Sequence, residues 1–353
     1  MTQTSTRRAS LGAGIGLVAA ALAWALGALP FMRTVELKTY DLRVRALTDP
    51  RKANPDIVIV SIDDASVRKM EPQVGRWPWP RMVHATLIDF LSRAPARVIA
   101  YDILFGERDR RSFELQGETW TGEESDRLLS EAVAKAGNVV VSADVTAADP
   151  LAKETMVATA QALGRSAMPQ STAFEARPSV MPPFADLASA ASSIGHTFLV
   201  LDPDGPARMA VPAVRAAGRT IPSLAVATAL RALGAPTSSV RLEGDTLQVG
   251  PARVPLVDVL VPSADGPPTT HKRMVIRFTG PAIDDTGQPT YREYPFYDLF
   301  YSELQLQSGQ KSFVDPQVFR NKVVIVGTTA AGLHDVFTVP FAAGKMPGAQ
   351  VHA

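Results

Sequence analysis

The run IVIVSIDD, Ile57 to Asp64, constrains this chain more than any other stretch. Its β-branched residues do not alternate with polar ones, so the strand they form, Ile57–Ile62, must be buried on both faces. It ends in the paired acids Asp63 and Asp64. A short loop follows, then the corner RWPWPR (Arg76–Arg81), which opens a helix from about Pro80 with proline at the favoured first position. Val83, Leu87, Phe90 and Leu91 make the apolar face of that helix.

The same grammar recurs downstream. A strand over Arg97–Asp102 is followed by a polar loop, Gly106–Gly122, and a helix whose stripe is Leu128, Leu129, Ala132, Val133 and Ala136, stopped by Gly137. Strand Asn138–Ala143 completes the unit. Apolar strands separated by amphipathic helices predict an α/β fold, a mostly parallel central sheet with helices on both faces. Residues 145–180 read as an irregular excursion, with a short helix around Lys153 to Leu163. A β-hairpin is expected around the turn Asp202-Pro203-Asp204-Gly205 and a second at Gly244-Asp245. A helix opens at Ile221-Pro222, with Leu224, Ala225, Thr228 and Leu233 inward and Gly234 as its stop. A strand over Met274–Phe278, a helix near Pro295–Leu304 and a final strand Lys322–Gly327 close the chain.

Before this domain lies an uncharged run, Leu11–Leu29, after a short tail over residues 1–10. As a helix it reaches about 28 Å, close to the roughly 30 Å hydrocarbon core. It reads as one transmembrane signal anchor; Ala23-Trp24-Ala25 also offers a cleavage site, but the run exceeds an ordinary signal-peptide core. Gly12, Gly16 and Ala20, four apart, form a small-residue face suited to a homodimer in the membrane. Pro30 ends or kinks this helix. Leu37, Tyr40, Val44 and Leu47 then make a membrane-proximal amphipathic helix, 35–47, facing the domain of residues 30–353.

A net charge of +1 offers no field for nucleic acid, which is not an expected partner. The absence of Cys removes thiolate metal sites and a Cys nucleophile. The five His show no metalloprotease spacing, and no Gly-x-Ser-x-Gly elbow occurs. Gly327–Gly332 imitates a phosphate loop, but Leu333 and His334 stand where Lys and Ser or Thr are required. No catalytic constellation emerges. The acids Asp63, Asp64, Asp102 and Asp144 fall at strand carboxyl ends, the edge where open parallel sheets bind ligands. With Arg81 at a helix entrance and Asp335 after the last strand, Asp63, Asp64 and Asp102 are the candidate ligand-binding residues. They suit a polar or zwitterionic small molecule, or a divalent cation; no other cofactor is expected. Helix capping plus ion pairs with Arg76 and Arg81 is the alternative role for these carboxylates. The Gly106–Gly122 loop leaves the same edge and would make a lid. Trp77 and Trp79 read as an aromatic anchor, with stacking on a ligand as the alternative.

From about Tyr40 to Ala353 the chain resembles the second type of CHASE domain. The carriers are YDLRVRAL (Tyr40–Leu47), IVIVSIDDASV, RWPWPR, RVIAYDILF (Arg97–Phe105), DPDGPAR (Asp202–Arg208), KVVIVGTTAAGLHD (Lys322–Asp335) and MPGAQVHA (Met346–Ala353). The resemblance implies an extracytoplasmic sensory domain of a bacterial receptor, held in the inner membrane and reading an unidentified small molecule. It also implies later membrane helices and a cyclase or kinase output module, expected outside this chain because Ala353 falls where the domain would hand over. It brings no catalytic residues. The rival readings are an extracytoplasmic metal-assisted α/β hydrolase and an envelope protein-binding module.

Overall fold

The computed structural model describes residues 12–21, 30–115, 117–145, 162–262, 266–333, 335–341 and 344–353. The chain divides into two compact units, Met1–Thr48 with Pro340–Ala342, and Asp49–Val339 with Ala343–Ala353. In the first, residues 12–21 are helical, and a helix α1 runs over Pro30–Leu47. Pro30 therefore begins a described helix; whether it also ends or kinks one before it lies outside the described residues, as do residue 11 and 22–29 of the apolar run. Among the described residues no helix is long and apolar enough to cross a membrane.

The second unit is built on a six-stranded sheet. Its strands are β1 (Ile57–Ile62), β2 (Val98–Asp102), β3 (Val139–Ala143), β4 (Ser193–His196), β5 (Arg292–Pro295) and β6 (Val323–Thr328). They lie in the order β5-β1-β6-β2-β3-β4, every neighbouring pair parallel. The uninterrupted apolar runs have the expected cause. Side chains alternate across the sheet, and Val58, Val60 and Ile62 enter one core while Ile59, Val98 and Ala100 enter the other. The first core is closed by helices α2 (Asp64–Val74), α3 (Arg81–Arg93) and α4 (Gly122–Ala136), and by α6 (Phe296–Gln307). The second is closed by α5 (Leu224–Ala232) and by Ala349 of the short α7 (Gly348–His352). The far side of α5 places Val226 and Leu230 against Leu247, Val249 and Leu256 of a separate antiparallel sheet.

Several expectations shift. The segment after Asp63 is the helix α2, not a loop. Asp63 accepts from the Ser66 amide at 2.7 Å as its N-cap, and Ser66, Met70 and Val74, four apart, are its buried face. The α3 helix starts at Arg81 with Pro80 as its N-cap. Of the two indoles just before it, Trp79 is a core anchor, fully buried with its ring 5.0 Å from Phe296, while Trp77 is half-buried and packs on Trp79 at 5.0 Å. The Gly106–Gly122 loop carries a hairpin, Ser112–Leu115 with Glu118–Thr121, and ends in a capping box between Thr121 and Glu124 that starts α4. Gly137 closes α4 in the left-handed conformation, φ +66°.

The turn at Asp202–Gly205 forms, tied by Arg208 to Asp202 and Asp204. Its arms share one bridge, Leu199 with Ala210, and Met209–Ala210 joins the antiparallel sheet instead. Ile221 and Pro222 end a strand, Arg219–Pro222, and Ser223 caps α5. Leu233 faces out rather than in. The strand expected at Met274–Phe278 runs over Thr269–Val275, because its inward residues are polar: His271 and Arg273 are buried, and Arg273 binds Glu175 at 2.9 Å. Gly244-Asp245 turns a hairpin as expected. The strand β6 is not the last, since Val336–Thr338 pairs with Lys345–Pro347 beyond it. Of the excursion 145–180, residues 146–161 lie outside the described residues, and 162–166 are helical. Met168, Phe174 and Val180 are buried, so this irregular stretch contributes to the core.

Candidate functional site

The carboxyl ends of β2 and β6 open into a cavity of about 430 Å³. Its floor is Asp102, the last residue of β2, and Thr328, the last of β6. One wall is the Trp77-Pro78-Trp79 corner with Arg81 and His84 of α3. Leu333, Asp335 and Phe337 follow β6 as a second wall, and Gly348 and His352 of α7 form the third. The hairpin Val336–Thr338/Lys345–Pro347 turns the chain back so that α7 reaches the cavity.

Two glycines permit this closure. A Cβ on Gly327 would stand 2.7 Å from the Ala349 Cβ, so only a glycine lets α7 lie on the end of β6. A Cβ on Gly348 would stand 2.8 Å from Asp335 Oδ1 and 3.1 Å from Asp102 Oδ2. The two carboxylates thus converge on one point at the start of α7.

Burial dominates the electrostatics there. It pushes the Asp102 carboxyl up to about 7. Burial first, and then the charge of Asp102, push Asp335 up to about 6. Burial holds His352 down at about 4, so its imidazole is neutral near pH 7. Its Nε2, 3.9 Å from Asp102 Oδ1, is therefore a neutral neighbour rather than an ion-pair partner. The Thr328 hydroxyl donates to Asp335 Oδ2 at 3.3 Å. Asp102 Oδ2 is buried and has no hydrogen-bond partner. An unsatisfied buried acceptor costs about 1–3 kcal/mol, more when charged, so Asp102 is held in place against its own solvation.

Arg81 is otherwise engaged. Its guanidinium lies 3.8 Å from Asp109 and 3.6 Å from Asp126, donates to the Glu107 carbonyl at 3.3 Å, and sits over the Phe105 ring. His84 and His196 are fully buried, and burial lowers both to about 3. Neither is poised as a base near neutrality.

Of the residues singled out from sequence, the structure brings Arg81, Asp102 and Asp335 to one cavity. Asp63 and Asp64 do not line it. Asp63 caps α2, and Asp64 Oδ2 is 3.5 Å from the Ala331 amide. The expected ion pairs of these acids with Arg76 and Arg81 are replaced: Arg76 binds Glu71 at 2.9 Å, and Arg81 faces Asp109 and Asp126. Asp144 pairs through its backbone with Met181. Of the Gly106–Gly122 loop, Arg108–Ser112 and Thr121–Gly122 line a separate hollow of about 500 Å³ instead of lidding the cavity. His334 lies outside the described residues. Sequence reasoning missed Thr328, Leu333, Phe337 and His352. The segment MPGAQVHA was in view, but nothing in it signals that it folds back over β6. Among the described residues, no group of three or more His, Asp or Glu could hold a metal ion.

No curated protein and no solved structure matches the chain. The model of the CHASE2 domain family matches residues 15–353. An apolar parallel sheet, a tryptophan corner and an acidic cavity at the strand ends are thus the form taken here by a member of the CHASE2 domain family, a family of extracellular sensory domains of signalling receptors.

Proposed function

We propose that this chain is the membrane-anchored, extracytoplasmic sensing part of a bacterial receptor and that it binds a small polar molecule in the cavity between β2, β6 and α7. The observation that carries this reading is the convergence of Asp102 and Asp335 in one cavity, with Asp102 Oδ2 buried and unpartnered. A buried carboxylate with no internal partner suits a group supplied from outside. Arg81, Asp102 and Asp335 are the proposed ligand-binding residues, while Asp63 serves as a helix cap.

The run Leu11–Leu29 is proposed as the anchor in the inner membrane, with Gly12, Gly16 and Ala20 as a homodimer face. Ligand occupancy would be relayed to a cyclase or kinase output module through Pro30–Leu47, the helix that joins anchor to domain in sequence. The test is a thermal-shift screen of the full chain in detergent against polar small molecules. Stabilisation by a ligand that is lost in Asp102→Ala and Asp335→Ala, both still folded, supports the reading. Metal-dependent hydrolysis of an ester or phosphoester, abolished by the same variants, would replace it with the hydrolase reading.

A further inference from the structure

The cavity is chemically lopsided. On the Arg81 side a guanidinium already faces two carboxylates, Asp109 at 3.8 Å and Asp126 at 3.6 Å. On the α7 side, among the described residues, Asp102 and Asp335 face no cation: the titratable neighbour, His352, is kept neutral by burial. Among the described residues, the other charged or titratable groups around it are His84 on α3, Glu293 behind Gln350 of α7 and, beyond His352, His196 and Arg177. Burial keeps both histidines neutral too. Arg177 has partners of its own, stacking on Phe198 and donating to the Val145 carbonyl. The unmet demand is therefore for positive charge, at the point where Asp335 Oδ1 and Asp102 Oδ2 converge.

Resting on the cavity reading above, we infer that the site takes an organic cation, with a primary ammonium group seated between Asp102 and Asp335 and an apolar body lying along Trp77, Leu333 and Phe337. An ammonium carries three donors, enough to serve both carboxylates at once. A bare divalent ion fits less well. Ca²⁺ takes six to eight oxygens and Mg²⁺ demands near-octahedral coordination, whereas this corner offers two carboxylates and the Thr328 hydroxyl. A volume of about 430 Å³ is also the size of a small-molecule site rather than of an ion. An anion would have to compete with Asp109 and Asp126 for Arg81 and would face two further carboxylates.

Seating the cation ionises the acid pair. Near neutral pH the pair retains part of a proton, because burial raises both groups and the charge of Asp102 raises Asp335 further. The arriving ammonium displaces that proton to solvent. A carboxyl titrating at about 7 is ionised in roughly nine-tenths of molecules at pH 8 and in roughly 3% at pH 5.5. Apparent affinity should therefore fall at least about thirtyfold across that interval, since Asp335 also gains a proton within it.

The experiment titrates the full chain in detergent with three sets of matched probes. These are methyl-, butyl- and phenethylammonium, the carboxylates of equal length, and the corresponding alcohols, with Mg²⁺ and Ca²⁺ alone as further arms. Calorimetry at pH 8, 6.5 and 5.5, in buffers of different ionisation enthalpy, reads affinity and protons released together. The expected result is binding of the ammonium probes only, tighter for phenethyl than for methyl, with proton release at pH 6.5. Asp102→Asn should weaken that binding at least tenfold and flatten its pH dependence to what the remaining Asp335 carboxyl supplies, with Asp335→Asn as the second variant should the first not fold. Carboxylates or alcohols that bind and are lost in these variants would overturn the cation assignment while leaving the cavity as the site. So would a divalent ion binding without any ammonium probe. If no probe of any class binds, both the cation assignment and the cavity reading fall.

Discussion

Asp102→Asn should make the empty domain more stable, and the gain should depend on pH. Lifting a carboxyl from 3.8 to about 7 corresponds to about 4 kcal/mol between its protonated and ionised forms. Asp335, raised to about 6, shares its ionisation with Asp102, so the two costs do not add in full. Halving the figure for that sharing and for relaxation leaves about 2 kcal/mol, or roughly 4 °C in melting temperature for a domain of this size. Because the folded-state values lie above the ordinary one, this cost is absent below about pH 4, grows steadily as pH rises from there, and levels off above about pH 7. Other carboxylates act in the opposite sense. The Arg111 guanidinium holds Asp109 low, and the Lys322 ammonium does the same for Asp56, so both favour the fold as pH rises. The variant-minus-wild-type difference removes their contribution. Melting curves followed by tryptophan fluorescence should coincide within about 1 °C at pH 4 and separate by about 4 °C at pH 8, the variant higher. A variant that melts lower at pH 8, or an offset that ignores pH, would show that Asp102 is a structural group and not a strained one.

Four further outcomes are expected. Gly348→Ala would press a methyl group within 2.8 Å of Asp335 Oδ1, and should cost about 1–3 kcal/mol in denaturant unfolding. Trp79→Ala empties the core beside Phe296 and should cost about 3–5 kcal/mol. Trp79→Phe should cost clearly less, because the indole Nε1 has no partner to lose. Thr121→Ala removes one side of the capping box on α4 and should lower stability by about 1 kcal/mol, read from the urea midpoint. Gly16→Ile should weaken pairing of the apolar run in a membrane two-hybrid assay, and unchanged pairing would remove the proposed dimer face.

Four of the six sheet strands were legible because they are unmixed apolar runs; the two edge strands, β4 (Ser193–His196) and β5 (Arg292–Pro295), are short and mix polar residues, and were not. Burial on both faces leaves no polar positions to confuse the period. The helix α2 was not legible. Its buried stripe is only Ser66, Met70 and Val74, its remaining face is charged, and Pro72 sits in its last turn. The antiparallel strand Thr269–Val275 inverts the usual pattern by burying His271 and Arg273, and only the distant Glu175 makes that tolerable. The site follows the same logic. Asp102, Arg81 and Asp335 could be found by asking which charges end strands or begin helices. Asp63 met that criterion too, but its carboxylate is consumed by a helix the sequence did not announce. His352 reaches the cavity only through the hairpin beyond β6, a tertiary fact with no local signature.

The position of β6 governs the order in which this domain can come into being. The strands it separates, β1 and β2, belong to an early part of the chain, yet they are bonded to Val323–Thr328 and not to each other. Until those late residues arrive, the first half holds two unpaired apolar edges side by side. Open edges of that kind invite association with other chains, and pairing over so long a separation is slow. A chain emerging from a ribosome or a translocon must keep its early strands shielded until the last segment slots between them. Thr328, Asp335 and His352 come with or after that strand. The cavity is thus closed only after β6 is in place, in molecules whose central sheet is complete.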